Sequence, residues 1–300
     1  VIAEISEAGE RERWFGFLGA LRNASFAIGG LVAALAITVG TTTAYTAVVL
    51  ANAGSYLLAY ALLLSAQSSS PAVEPTPIID GPQGWGTVLR DGPYLLFVLT
   101  NVTFATSAMA LNIAMPVYIT QSLDLPGWVA GAVFTINTVM IGVGQGLVVN
   151  AMEGSVRSNI VTLGTLLFVA SYAVVLVADW TQVGVGVAVL LVGAVIYTAG
   201  ELVAGPVLAA LSTDAAPVHL RGRYVSLYQT SWTVSSTVAP VAMTWLLQRG
   251  SAPLWGALAA VALLGVVLSN LLRRVMPLAA MTVPATRPTQ LPHEPALPDR

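Results

Sequence analysis

Long uninterrupted apolar stretches alternate with short polar segments along most of the chain. A bilayer core about 30 Å thick is crossed by about 20 helical residues. The stretches lack the strict alternation of apolar and polar residues that marks the ~10-residue strands of a membrane barrel. The pattern therefore predicts eight transmembrane helices, at Trp14–Ile37, Ala44–Leu64, Tyr94–Ile119, Trp128–Ala151, Asn159–Val177, Val183–Leu208, Tyr224–Leu247 and Leu254–Leu272.

The composition agrees with an all-α integral membrane protein. Charged residues make up 9% of the 300 residues, against about 25% in a typical soluble protein, and apolar residues make up 56%. The net charge of −2 offers no basic field for nucleic acid. The chain has no cysteine, which excludes disulfides and thiol chemistry.

The positions of the arginines predict the orientation and the domains. Arg11, Arg13, Arg90, Arg157, Arg221, Arg223, Arg273 and Arg274 flank alternate connections, while the opposite connections hold only Arg249. Basic residues favour the cytoplasmic side, so both termini are predicted to be cytoplasmic in a multi-pass protein of the cell membrane. A long Pro- and Gly-rich loop separates two helices from six. The predicted divisions are residues 1–65, a linker over 66–93, a bundle over 94–274 and a disordered tail over 275–300.

Three local motifs accompany this two-plus-six arrangement. In the first helix, small residues recur at Gly16, Ser25, Gly29, Gly30, Ala33 and Ala34. Glu153 and Arg157 flank one predicted cytoplasmic loop. The most specific segment contains Gly200, Glu201, Pro206, Ala216, Pro217, Arg221, Gly222, Arg223 and Tyr224.

Together these features resemble the major facilitator superfamily (MFS), and in particular its bacterial drug-efflux members. The resemblance implies that the eight helices correspond to helices five to twelve of a twelve-helix fold. We therefore expect four further helices, roughly 110 residues at about 25–30 per span and loop, and no transport by the 300 residues alone. The loop arginines Arg221 and Arg223 are expected to bind helix-terminal carbonyls and anionic lipid headgroups.

Two ionisable residues lie within predicted spans, where burial of a charge costs about 2.5–3.5 kcal/mol on insertion scales. Arg22 lies about 13 Å along its helix from Arg13. It either faces a central cavity, binding an anionic group or a proton-carrying acid, or forms a structural ion pair. Glu201 either carries a proton or caps a helix near the interface.

Polar and aromatic side chains inside the spans give further candidates. Asn101, Asn112 and Asn137 lie on the two helices after the linker, where amides either line a solute cavity or form interhelical hydrogen bonds. Tyr197, Tyr228 and Trp232 can stack on an aromatic substrate, although Tyr and Trp are also ordinary interface anchors, the reading favoured for Tyr228. Pro116, Pro206 and Pro240 interrupt predicted helices and favour bends there.

No enzyme motif accompanies these residues. The two histidines, His219 and His293, lie outside the spans, and HExxH, GxSxG and P-loop spacings do not occur, so no catalytic residue, metal or cofactor is predicted. The predicted function is secondary active transport, with proton-coupled efflux of small hydrophobic or drug-like compounds by a monomer. A nutrient or metabolite porter and a non-transporting membrane scaffold or regulatory protein are the alternatives.

Overall fold

The computed structural model describes residues 11–67 and 84–284, which are helical over most of their length. Eight long helices account for this: α1 (Arg11–Val39), α2 (Thr42–Gln67), α3 (Gly92–Met109), α4 (Gly127–Ala151), α5 (Arg157–Val177), α6 (Val183–Asp214), α7 (Arg221–Leu247) and α8 (Ser251–Val275). Short helical pieces lie between or after them, at Trp85–Val88, Ala114–Val117, Tyr118–Ser122, Ala178–Trp180, Val218–Leu220 and Leu278–Met281.

Six helical stretches of the described residues are long and apolar enough to cross a bilayer. They are Thr42–Ser65, Gly92–Ser122, Gly127–Ala151, Arg157–Trp180, Val183–Asp214 and Ser251–Val275. The all-α, multi-pass class predicted from the sequence is thereby confirmed. The two further spans predicted at α1 and α7 lie on long helices outside these six and stay predictions.

The third predicted span contains a break just before Pro116, one of the prolines predicted to interrupt a helix. The span predicted over Tyr94–Ile119 is therefore divided, because α3 ends at Met109 and a turn separates it from Ala114–Val117. Pro116 has no N–H, so the helical bond to the carbonyl four residues earlier cannot form. The Met115 N–H instead reaches back five residues to the Ala110 carbonyl at 2.9 Å. A π-helical turn, Tyr118–Ser122, then completes the span.

Small residues bring α5 and α6 into close contact. A Cβ added to Gly164 would lie 2.7 Å from the Ala204 Cβ and 2.8 Å from the Gly200 carbonyl oxygen. Helix α8 approaches two helices as closely, because a Cβ on Gly265 would lie 2.6 Å from the Thr103 hydroxyl of α3 and 3.1 Å from the Thr165 Cγ2 of α5. Close approach of this kind supplies the dispersion contacts that hold helices together in lipid.

Helix α1 packs against this group of helices, mainly on α4 and α6. Gly16 is buried, and a Cβ there would lie 3.0 Å from the Gln145 Cγ of α4. Helix α2 is different, because its main contacts are with α1 and none of its apolar window is buried. A largely apolar, exposed helix of this kind suits an apolar medium such as lipid.

The segment after α8 is more ordered than its composition predicts. The disordered tail predicted over 275–300 is wrong for residues 275–284, because Leu278–Met281 forms a helical turn and Met281 is 1% exposed. The physical reason is that this segment pairs with the loop between α4 and α5. Thr282 of the segment and Val156 of the loop form an isolated antiparallel bridge. Residues 1–10, 68–83 and 285–300, with most of the predicted linker, lie outside the described residues.

Candidate functional site

A cavity of about 500 Å³ lies between α1 and the helices α3, α4, α6 and α7. Its walls are largely apolar, with a few polar and charged groups. The lining residues are Phe15, Leu18, Gly19, Arg22, Phe104, Ile141, Gln145, Glu201, Gly205, Pro206, Ala209, Tyr228, Gln229 and Trp232. A concave, mostly apolar site with a few convergent polar groups is typical of a small-molecule binding site.

The cavity brings together the two charged residues that the sequence analysis singled out within predicted spans. Arg22 of α1, which is exposed, and Glu201 of α6, which is partly buried, both line it. Glu201 is also held from α4, because the Asn137 Nδ2 donates to Glu201 Oε2 at 2.9 Å and to Thr198 Oγ1 at 3.2 Å. Asn137 itself is 5% exposed.

Aromatic side chains form one wall of the cavity. Tyr228 and Trp232 lie one helical turn apart on α7, and the Trp232 Nε1 donates to the Tyr228 hydroxyl oxygen at 3.3 Å. Phe104 of α3 meets the Trp232 ring edge-on at 6.1 Å between centroids. Large flat rings of this kind can stack on an aromatic ligand without losing many rotamers.

The remaining polar groups of the cavity are neutral amides. Gln145 of α4 is 6% exposed and its Nε2 donates to the Leu202 carbonyl at 3.2 Å, while Gln229 of α7 is exposed. The site can therefore hold a small, largely apolar molecule beside one permanent positive charge and one carboxyl group that can gain or lose a proton.

The other predicted site residues lie outside the cavity lining. Asn101 is fully buried between α3 and α7, where its Nδ2 donates to the Ser231 hydroxyl. Tyr197 is also fully buried, and its hydroxyl donates to the Ala108 carbonyl at 2.8 Å, next to the break after α3. Asn112 is exposed within that break. These positions give Asn101 and Tyr197 structural contacts between helices.

Several lining residues were not selected from the sequence. Phe15, Leu18 and Gly19 precede Arg22 by seven, four and three positions, so they share its face of α1. Gly205 and Ala209 follow Glu201 by four and eight positions in the same way. The helical spacing around the two charged residues was therefore a signal that could have found them.

The loop residues predicted as a motif join different helix ends. Glu153, after α4, forms an ion pair with Arg13 of α1, with 2.7 Å between Arg13 Nη2 and Glu153 Oε1. Arg157, at the start of α5, is 1% exposed and forms an ion pair with Asp214 at the end of α6, at 2.6 Å. Both pairs lie at the helix ends predicted to be cytoplasmic.

The predicted motif of Arg221, Gly222 and Arg223 forms the first turn of α7. Next to it, the Tyr224 hydroxyl donates to Asp91 Oδ2 at 2.8 Å, while Asp91 Oδ1 accepts from the Tyr94 backbone N–H at the start of α3. This cap ties the first turns of α3 and α7 together. Gly222 is exposed, and a Cβ there would meet open space. Binding of carbonyls or headgroups by the two arginines stays a prediction.

Comparison with known families agrees with this architecture. The family model described as Major Facilitator Superfamily matches residues 1–153 and, in a second match, residues 98–298. The chain therefore belongs to the major facilitator superfamily, whose members are membrane transporters. A curated relative, a "Na(+), Li(+), K(+)/H(+) antiporter" of Planococcus maritimus, is 21% identical over 173 residues. That match covers 53% of this chain and 39% of the relative, so the chain spans about two fifths of the relative's length.

Proposed function

We propose that this chain is part of a proton-coupled secondary transporter that exports small hydrophobic, aromatic compounds by alternating access. The observation that carries the proposal is the cavity of about 500 Å³ in which Arg22, Glu201 and an aromatic wall meet. Because the chain matches 39% of the relative, the activity proposed is that of the whole transporter containing this chain.

Glu201 is the proposed proton carrier. It is the acidic residue among those lining the cavity, and its Oε2 accepts a hydrogen bond from the Asn137 Nδ2 at 2.9 Å. When Glu201 is ionised, its charge offsets that of Arg22, and when it is protonated the Arg22 charge is left uncompensated. A change in protonation therefore changes the net charge of the cavity by one unit, which is the requirement for coupling a proton gradient to occupancy.

The proposed membrane arrangement has eight spans, with α1 and α7 crossing beside the six apolar stretches. In this arrangement both termini lie on the cytoplasmic side of the cell membrane, because the arginines concentrate at one set of helix ends. The transporter is proposed to act as a monomer. The ion pair between Arg13 and Glu153 then lies at the cytoplasmic entrance. It joins α1 to α4 and so favours the state in which that entrance is closed.

A second candidate function is exchange of a monovalent cation for protons, which the name of the relative favours. The cavity argues against it, since Arg22 keeps a permanent positive charge there and the charges of Arg22 and Glu201 never sum to a negative value. Beyond Glu201, an inorganic cation would find only neutral side-chain oxygens, those of Gln145, Gln229 and Tyr228, beside a largely aromatic and apolar wall.

Proton movement in everted vesicles tests the proposal. Vesicles containing the whole transporter are energised, and internal pH is followed while hydrophobic aromatic compounds, Na⁺ or K⁺ are added. We expect aromatic compounds to release protons from the parent but not from Arg22→Ala, with no response to either cation. A response to Na⁺ or K⁺ alone would favour the second candidate, and silence toward every compound would contradict proton coupling.

A further inference from the structure

Residues 276–284 form a strap that docks on the loop between α4 and α5. The Gly154 N–H donates to the Val283 carbonyl at 3.0 Å, and the Val283 N–H donates to the Ser155 carbonyl at 3.0 Å. Met281 and Val283 are 1% and 2% exposed, so two apolar side chains anchor the strap as well. Two backbone hydrogen bonds and two buried side chains therefore hold the strap on the loop.

A single buried guanidinium fastens the strap to the helices around it. Arg157 Nη1 donates to the Ala280 carbonyl at 2.7 Å, while its Nη2 donates to Asp214 Oδ2 at 2.6 Å. The planar fork of Arg can serve two partners at once, which the point charge of Lys cannot do in the same way. The strap, the start of α5 and the end of α6 are therefore fixed to one another.

The loop that receives the strap also carries Glu153. Its neighbour Gly154 has φ +73°, a backbone conformation that favours glycine, and it is the Gly154 N–H that pairs with Val283. The strap thus holds the backbone one residue away from the carboxylate that pairs with Arg13. Arg13 in turn lies two residues before Phe15, which lines the cavity.

We propose that the strap is a positioning device for the cytoplasmic entrance, holding Glu153 within reach of Arg13 and so favouring the closed state. This inference rests on the proposed function, and it adds that the strap, which lies outside the cavity lining, regulates the transporter. Release of the strap frees the loop, weakens the pair between α1 and α4, and increases opening toward the cytoplasm.

Cysteine labelling of the cavity tests this without a transport assay. These 300 residues contain no cysteine, and Ala209 lines the cavity, so Ala209→Cys in a whole transporter otherwise free of cysteine gives one reporter for a membrane-impermeant maleimide added from the cytoplasmic side. Met281→Asp places a charge where the side chain is 1% exposed and should undock the strap. Leu278→Asp is the matched control, since Leu278 lies in the same segment and is 76% exposed.

We expect Met281→Asp and Arg13→Ala each to increase the labelling rate about two- to fivefold, the range of a partly exposed ion pair, while Leu278→Asp does not. The double variant Met281→Asp with Arg13→Ala should label no faster than Arg13→Ala alone, because both changes act through the ion pair of Arg13 and Glu153. If Met281→Asp fails to reach the membrane, Val283→Pro, which removes the N–H donor to Ser155 and the buried valine side chain without adding a charge, replaces it.

Parent-like labelling in the strap variants, with faster labelling in Arg13→Ala, would overturn the strap's role and leave the proposed function intact. Equal labelling in every variant would overturn both the strap and the closing role of the ion pair. Proton movement in the same vesicles, measured separately, reports whether the proposed function itself fails.

Discussion

The two ion pairs of the helix ends have nearly the same length but should differ widely in their contribution to stability. Arg13 and Glu153 are 44% and 31% exposed, whereas Arg157 and Asp214 are 1% and 12% exposed. An exposed pair contributes about 0.2–1 kcal/mol because water and salt screen it. Removing one partner of a buried pair costs about 3–5 kcal/mol, since the other charge is left unpaired.

Arg157→Ala should therefore lower the free energy of unfolding by about 3 kcal/mol, the lower end of that range, because Asp214 keeps some contact with solvent. The loss includes the hydrogen bond to the Ala280 carbonyl. Arg13→Ala should lower the same free energy by less than about 1 kcal/mol. Unfolding in mixed micelles titrated with sodium dodecyl sulfate measures both.

Two further variants separate pairing from packing. Arg157→Lys keeps the charge but not both contacts, so its loss should be intermediate. Adding Asp214→Ala to Arg157→Ala removes the stranded carboxylate, and the double variant should lose less than the sum of the single ones. An Arg157→Ala protein as stable as Arg13→Ala would refute the reasoning from burial.

The remaining predictions concern packing, orientation and the cavity. Gly164→Ala should lower the free energy of unfolding by about 1–3 kcal/mol, because its Cβ would meet α6 at 2.7 Å. Gly131→Ala is the control and should not lower it, because open space surrounds Gly131. Equal stability of the two variants would contradict the close contact of α5 and α6. In the intact cell, an impermeant maleimide should reach Thr42→Cys from outside, and Gly222→Cys should react only once the cytoplasm is accessible; the reverse pattern would invert the proposed topology. Arg22→Ala should abolish transport at normal membrane levels and Arg22→Lys should restore it only in part, whereas full transport by Arg22→Ala would remove the residue from the site.

The eight long helices could be predicted from the sequence because a bilayer demands long, internally bonded apolar segments. Apart from α3, which ends at Met109, their bounds differ from the predicted spans by a few residues at the ends, where polar residues extend a helix beyond the apolar run, as at Ser212 and Asp214 of α6. The break before Pro116 agrees with the predicted interruption at that proline, since a proline inside a helix removes a bond to the residue four positions earlier.

The site was predictable only in part. Arg22 and Glu201 stand out because charges are costly in the membrane, and the cavity does bring them together. An amide within a span says less about the position of the site, because its role depends on the residue that it meets in another helix. Asn137 meets Glu201, whereas Asn101 meets Ser231 in the contact between α3 and α7.

The docked strap could not be predicted from local composition. Its proline-rich sequence is typical of a disordered tail, and no periodic pattern marks it as structured. Its order comes from partners far away in the sequence, the loop at Gly154 and the buried Arg157. Long-range hydrogen bonds and burial of Met281 decide the outcome there.

The most direct test of the account is transport by Glu201→Gln, with gradient-driven export and counterflow measured side by side on vesicles containing the whole transporter. Gln resembles a permanently protonated Glu in shape and cannot release a proton. We expect Glu201→Gln to keep counterflow of substrate but to lose export driven by the proton gradient. Gradient-driven export at the parent's rate would contradict the proposed role of Glu201 as the proton carrier.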